Sequence, residues 1–543
     1  MSAGATVHTA ATSVTGAAPL VAFFLVVSTT LLLCLLFGVD SEGIDDLYAA
    51  GRSVGPWRNA LAMTGDTITI LLLLSLTGLV SVAGYDGVAL AVGTIGGYVV
   101  LLVLARPLRN TGRFTLGDTL AARFEDRSVR TAAAVICAVV CVPLAVVQLT
   151  AAGGATAAML GLSGTASAQL CTVFIGAMMV CAAALTGMRG NTMLQMIKTL
   201  TVFVCMALLV VLLLRSTGWS PAGLLSDAID RNFDPAGYFT PGQLYGTDLA
   251  GRLNLVSVQV TVVLGSAVVP HMIMRVKAAR HGGTARRSVV LATGMLTVFV
   301  AMAITLGLGA AARSSALSRE QFDLQSSTAL LSLVQELVAG PSGDLLTALV
   351  VSAVFLTALT VVASLALSAA AALVHDLYVA GFRGGRVASS TEVKAMRWTT
   401  PLVGAAAVLL SVLAQSWNIQ FLAQFAVSVA ASAVLPALVY ALFWRRCTRA
   451  GLLWAMYTGL VSCAVLQVFG PAVSGGPGAL FPSADFAWFP MATTGLVSIP
   501  VGFAAGWIAS VRTARTRSPE DATRYAALAA RALVDRPEEA RVP

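Results

Sequence analysis

Apolar residues are not scattered along this chain; they come in runs of about twenty, separated by short polar or basic breaks. A helical run of that length crosses a hydrocarbon core of roughly 30 Å. Thirteen such runs occur, near residues 18–38, 57–82, 88–105, 131–151, 166–187, 191–214, 253–274, 288–312, 344–375, 399–415, 419–443, 451–470 and 488–511. Each predicts one transmembrane helix, and the odd number places the two termini on opposite sides. The pattern divides the chain into an N-terminal segment, 1–17, one membrane domain, 18–511, and a polar tail, 512–543. Within the tail, Ser518, Pro519, Glu520 and Asp521 predict a helix start: a cap, proline at the first helical position, then acids at the positive end of the dipole.

Composition strengthens this reading. Of the 543 residues 57% are hydrophobic and only 11% charged, and the mean hydropathy is +0.85; a water-facing surface usually needs about a quarter of residues charged. The net charge of +9 does not point to nucleic acid, because its distribution follows topology. With the N-terminus outside, 28 of the 34 Lys and Arg fall in cytoplasmic loops and the tail, five fall outside, and Lys198 lies within a segment. The chain is therefore expected in the cell membrane as a multi-pass protein with a cytoplasmic C-terminus. Its basic clusters, which include Arg109, Arg123 and Arg275, are expected to set topology and contact anionic lipid. No Lys or Arg precedes the first apolar run, so that run predicts a retained helix rather than a cleaved signal. The eight cysteines imply neither a disulfide framework nor a metal site, and the short tail has no room for a catalytic domain.

Function is expected where the apolar pattern breaks, because a polar or helix-breaking residue in lipid is tolerated only where it lines protein or a water-filled cavity. The second segment carries Thr64, Gly65, Asp66, Thr67 and Thr69, which predict an unwound stretch facing a cavity; the alternative is a shallow, solvated Asp66. In the seventh, Pro270 follows Gly265 and Ser266 and can break the helix, and His271 beside it is read as a boundary histidine or a proton carrier. The ninth places Thr357, Thr360, Ser364 and Ser368 on one helical face. Such hydroxyls either replace the water of a stripped cation or bond back to their own helix. Gln148, Gln420 and Gln424 are uncharged amides able to hold a polar solute or to join helices. No nucleophile elbow, phosphate-binding glycine loop or histidine pair at metal spacing is present, so no enzyme activity is expected.

Six stretches, in order over roughly residues 40–470, resemble the sodium:solute symporter family, and within it the cation/acetate and monocarboxylate permeases. They are DLYAAGRSVGPWRNALAMTG (46–65), AGYDG (83–87), RPLRNTGRFTLGDTLAARF (106–124), PHMIMR (270–275), HDLY (375–378) and NIQFLAQFAVSVAASAVLP (418–436). The resemblance implies an all-α LeuT-like fold of two inverted five-helix repeats, about 57–214 and 253–443, with one extra helix before and two after. It implies a cation site at Gly65, Ile68, Thr357, Thr360 and Val361. Sodium-coupled sugar and proline carriers have two adjacent hydroxyl residues where this chain has Thr360 and Val361, and TITILLLLSLTG follows Asp66 where acetate permeases show small, serine-containing residues. Sodium and protons both stand as coupling ions; no other cofactor is expected.

The expected function is a secondary active symporter importing a short monocarboxylate, such as acetate, propionate or pyruvate, with a cation. Asp66, Thr67, Thr69, Gln148 and Gln424 are the expected solute contacts. The alternatives are the same scaffold carrying an amino acid or other small solute, and a non-transporting membrane sensor or accessory protein. The expected partners are a small organic anion and membrane lipid, with no nucleic acid and no obligate protein.

Overall fold

In hydrocarbon every backbone N–H and C=O must find a partner, and a helix supplies nearly all of them within itself. The computed structural model follows that rule: it is all-helical, with no β-strand among its described residues. These run from 43 to 534, apart from 160, 161, 163, 186, 233, 314–328, 339, 340, 418, 477, 478, 517 and 518, with isolated positions 25, 28, 29, 32 and 36 before them. The expected segment at 18–38 and the stretch 1–17 lie almost wholly outside the described residues, as does Ser518.

Among the described residues, eleven helices are long and apolar enough to cross a membrane. Ten coincide with ten expected segments. The eleventh, Leu71–Asn110, bends at Ala83 and Gly84, where Gly84 has φ 35° and ψ −98°. It therefore carries the end of the run expected at 57–82 and all of the run at 88–105.

The elements that build the site are α1 (Pro56–Thr67), α2 (Leu76–Asn110), α3 (Leu116–Phe124), α4 (Arg127–Met159), α5 (Met188–Ser216), α6 (Leu249–Ser266), α7 (Pro270–Ala278), α8 (Pro341–Ala371), α9 (Ile419–Val429) and α10 (Pro519–Leu533). Two spans are broken. One stops at Thr67 and resumes helical geometry at Ile70. The other stops at Ser266 and restarts at Pro270 behind an extended Val269, the proline taking the first helical position, where its missing N–H costs nothing.

In the apolar stretch of the span Leu345–Phe382, built on α8, 89% of residues are buried, against 33% in those of Ser389–Leu413 and Gly495–Arg512. The first is thus the core and the others lie at the lipid boundary, where Trp398 and Trp507 are exposed as an aromatic belt requires. A Cβ on Gly265 would stand 2.3 Å from the Val427 carbonyl, so only glycine lets α6 pack backbone to backbone on α9.

At the basic face the arginine clusters do more than set topology. Arg109, Arg123 and Arg275, expected at the lipid surface, are buried. Arg109 donates to the carbonyls of Ala279 and Arg280, and Arg123 to those of Ala441 and Arg445, at 3.1 and 2.9 Å. They satisfy carbonyls freed at helix ends. The tail helix α10 docks on the same face: Asn110 donates to the Arg531 and Val534 carbonyls, and the Arg123 guanidinium lies 4.3 Å from the centre of the Tyr525 ring.

At the opposite face the AGYDG stretch anchors a loop. The Tyr85 N–H donates to the Tyr238 carbonyl at 3.0 Å. The buried Asp86 carboxylate accepts from the N–H groups of Gly242 and Leu244. This pins residues 238–244 over the bundle.

Candidate ion and solute site

A helix interrupted inside a membrane frees backbone groups on both sides of the gap, and here their partners can be named. On the far side the Ile70 N–H donates to Gln148 Oε1 on α4 at 2.9 Å, and the Leu72 N–H to Thr69 Oγ1 at 3.1 Å. Thr69 is thus the N-cap of the resumed helix. On the near side two carbonyls, of Gly65 and Ile68, receive the ammonium of Lys198 on α5, the second at 2.6 Å. Gly65 must lack a side chain for α5 to come this close, since a Cβ there would lie 2.6 Å from Thr199 Oγ1 and 2.9 Å from the Gln195 carbonyl.

Two residues before the gap, Asp66 is 1% exposed and is not solvated. Its carboxylate is ion-paired with Arg275 of α7 and accepts from Ser364 Oγ and Gln195 Nε2, both at 2.5 Å. Arg275 also donates to Thr192 Oγ1 at 2.7 Å and Ser364 Oγ at 3.3 Å, and Asn191 donates to Ser364 Oγ at 2.7 Å. The pair therefore links the two broken spans, with α5 and α8 completing it. A buried pair repays its desolvation only when its remaining hydrogen-bonding capacity is met, and here each nitrogen of the guanidinium and each oxygen of the carboxylate has at least one partner. A cavity of about 230 Å³, lined by Arg58, Arg189, Thr192 and Met196 among others, reaches the network from the basic face.

Among the hydroxyls of α8, Thr357 donates to the Ala353 carbonyl at 2.6 Å and Thr360 to that of Leu356 at 2.9 Å, which leaves their oxygen lone pairs as acceptors. Val361 is buried and has no side-chain oxygen. Thr67 shares a 2.6 Å hydrogen bond with the Tyr98 hydroxyl and donates to the Met63 carbonyl. Gln424 of α9 is hydrogen-bonded to Tyr245, the residue after the pinned segment, whose phenol burial pushes up to about 12. The polar residues of α1, with Gln148, gather around the first break, while Gln424 sits under the loop.

The sodium:solute symporter family profile matches residues 47–459. The chain belongs to that family. A monocarboxylic acid transporter of Corynebacterium glutamicum is 34% identical to this symporter, over 90% of each chain. An uncharacterised symporter of Bacillus subtilis, YwcA, is 32% identical over 92% of this chain and 95% of its own. Among solved structures, a sodium-coupled sialic acid symporter in a substrate-bound outward-open state superposes with a TM-score of 0.70 at 13% identity, covering 93% of this chain and 98% of that one. A nucleobase-cation-symport-1 family transporter in a closed conformation gives 0.53 at 15%, covering 88% and 98%. At these identities the two structures speak for the fold, which is the LeuT-like one that the resemblance implies.

Two further motifs of the symporter meet at its basic face. HDLY lies in a π-helical stretch, Ala372–Phe382, whose wider turn sets His375 and Asp376 against α3. His375 hydrogen-bonds Glu392 at 2.7 Å and Asp118 at 3.1 Å. Arg130 reaches Asp118 at 2.6 Å and Asp376 at 3.3 Å. Burial alone would raise the Asp118 pKa, but the hydrogen bond and charge of His375, with Arg130 and Lys277, hold it well below the usual carboxylate range. Gly117 is required here, because a Cβ would stand 2.3 Å from the Asp376 carboxylate.

Sequence reasoning found the first break but not its partners. Lys198, Gln195, Thr192 and Asn191 sit on one strongly apolar helix and carry no motif of their own; Arg275 stood inside a matched motif but read as topology. The one available signal was the isolated charge at Lys198, since a lysine inside a spanning segment needs a partner.

Proposed function

We propose that this symporter imports a short-chain monocarboxylate such as acetate, propionate or pyruvate, coupled to a cation, by alternating access between the two sides of the cell membrane. The observation that carries the substrate class is the 34% identity, over 90% of both chains, to a monocarboxylic acid transporter. The geometry supports a carrier: both broken spans meet in one buried polar network joined by Asp66 and Arg275, which is where such folds bind solute and ion. The basic face is assigned to the cytoplasm, with the N-terminus outside.

The solute is assigned to the first break, with Thr67, Thr69 and Gln148 as its polar wall and Gln424 beneath the outer loop. Asp66 acts there through its pair with Arg275. A cation seat is assigned to the Gly65 and Ile68 carbonyls with Thr357, Thr360 and Val361; the family implies sodium as a coupling ion, and which cation fills this seat is a separate question. The two repeats are assigned to 57–214 and 253–443. The test is uptake of a radiolabelled panel into proteoliposomes with the sodium and proton gradients imposed separately. Saturable uptake of acetate, propionate and pyruvate, with mutual competition and none from amino acids, is expected. Uptake of an amino acid that monocarboxylates do not inhibit would overturn the substrate class.

A further inference from the structure

The carbonyls of a broken membrane helix are the groups that strip and hold a sodium ion in carriers of this architecture. In this chain two of the carbonyls freed at the gap in the first broken span, those of Gly65 and Ile68, are already taken. The Lys198 ammonium donates to both Gly65 O and Ile68 O, and Lys198 is fully buried. We propose that the Lys198 side chain is a tethered cation that occupies the carbonyl pair at the first break, so that the chain holds no sodium ion there.

Three independent observations converge on this assignment. The first is steric: an ammonium nitrogen at hydrogen-bonding distance from two carbonyl oxygens stands where a sodium ion would have to stand to touch both.

The second is charge. The charged groups that face Lys198 are Asp66 of α1 and Arg275 of α7. With one anion and two cations the cluster already carries one net positive charge, the charge that a bound sodium ion would bring. A sodium ion added to it would leave two uncompensated positive charges among buried helices, which desolvation opposes.

The third is the donor set. Sodium takes oxygen ligands, and of the side chains on α8 assigned to this seat, Thr357 and Thr360 offer one oxygen each while Val361 offers none. The side chain missing from the oxygen set at position 361 and the cation supplied by position 198 are two halves of one exchange: fewer oxygens are needed when the ion is already attached to the chain. Lysine suits the role because its compact, strongly hydrated charge sits on a flexible stem that spans from one helix to the next.

The inference rests on the carrier reading only in treating the broken span as a cation seat, and its test needs no solute. Full-length protein in nanodiscs is titrated with radioactive sodium at fixed pH and ionic strength. Its melting temperature is compared in sodium, potassium and N-methylglucamine chlorides. The wild type is expected to show no saturable sodium binding and the same melting temperature in all three salts. The variant Lys198→Ala/Val361→Ser, which empties the carbonyl pair and restores the second hydroxyl, is expected to gain saturable sodium binding and a sodium-specific rise of several degrees. Saturable, sodium-specific binding by the wild type would overturn the proposal, as would a folded double variant that gains none. Should the variant fail to fold, the wild-type titration decides alone. If monocarboxylate uptake is absent while the wild type binds no sodium, the substrate class falls and the tethered cation stands.

Discussion

Asp66 and Arg275 are 209 positions apart in the chain, and each is the other's ion-pair partner inside the bundle. Removing one member of a buried ion pair typically costs about 3–5 kcal/mol, because the survivor is left uncompensated, while replacing both by apolar residues costs far less. Asp66→Leu and Arg275→Leu are each expected to lower the melting temperature of the detergent-solubilised protein strongly, and Asp66→Leu/Arg275→Leu to lower it by less than the two together. Additive losses across that cycle would show that the pair is not a unit. Half of this was legible in the sequence. Asp66 stands out as a carboxylate in an apolar run, but Arg275 lies among basic residues at the end of a segment, where a charge reads as topology. Only the folding of one broken span against the other tells which arginine turns inward.

At the scale of elements, the interruptions follow from composition. Pro270 ends one helix for want of an N–H, and the polar stretch ending at Thr69 opens the other. The hydroxyls and glycine at 64–67 suggest an earlier gap, yet α1 stays helical through Thr67. The break falls instead at 68–69, where Thr69 and Gln148 can take the N–H groups and Lys198 the carbonyls. Those partners come from distant helices, so local sequence does not show them. Nor does it show the π-helical stretch that turns His375 toward Asp118, since its apolar pattern is that of an ordinary span. The AGYDG bend makes a direct prediction. Asp86→Ala strips the acceptor from the N–H groups of Gly242 and Leu244, each worth about 1–3 kcal/mol when left unpaired. Amide exchange across residues 238–244 should therefore accelerate by tenfold or more, with exchange in α8 unchanged. Unaltered protection of that loop would mean that something other than Asp86 pins it.

As a whole molecule, the chain was legible in outline because lipid imposes a simple code: apolar length counts helices. What that code omits is the interior, where burial of arginine and lysine is decided by pairing. Transport of a short monocarboxylate by the paired broken spans is tested by counterflow without regard to the coupling ion. Proteoliposomes loaded with unlabelled acetate are diluted into trace labelled pyruvate with no ion gradient. A transient overshoot of labelled pyruvate inside, abolished by unlabelled propionate outside, is expected. Folded protein that gives no overshoot with any short monocarboxylate would contradict it.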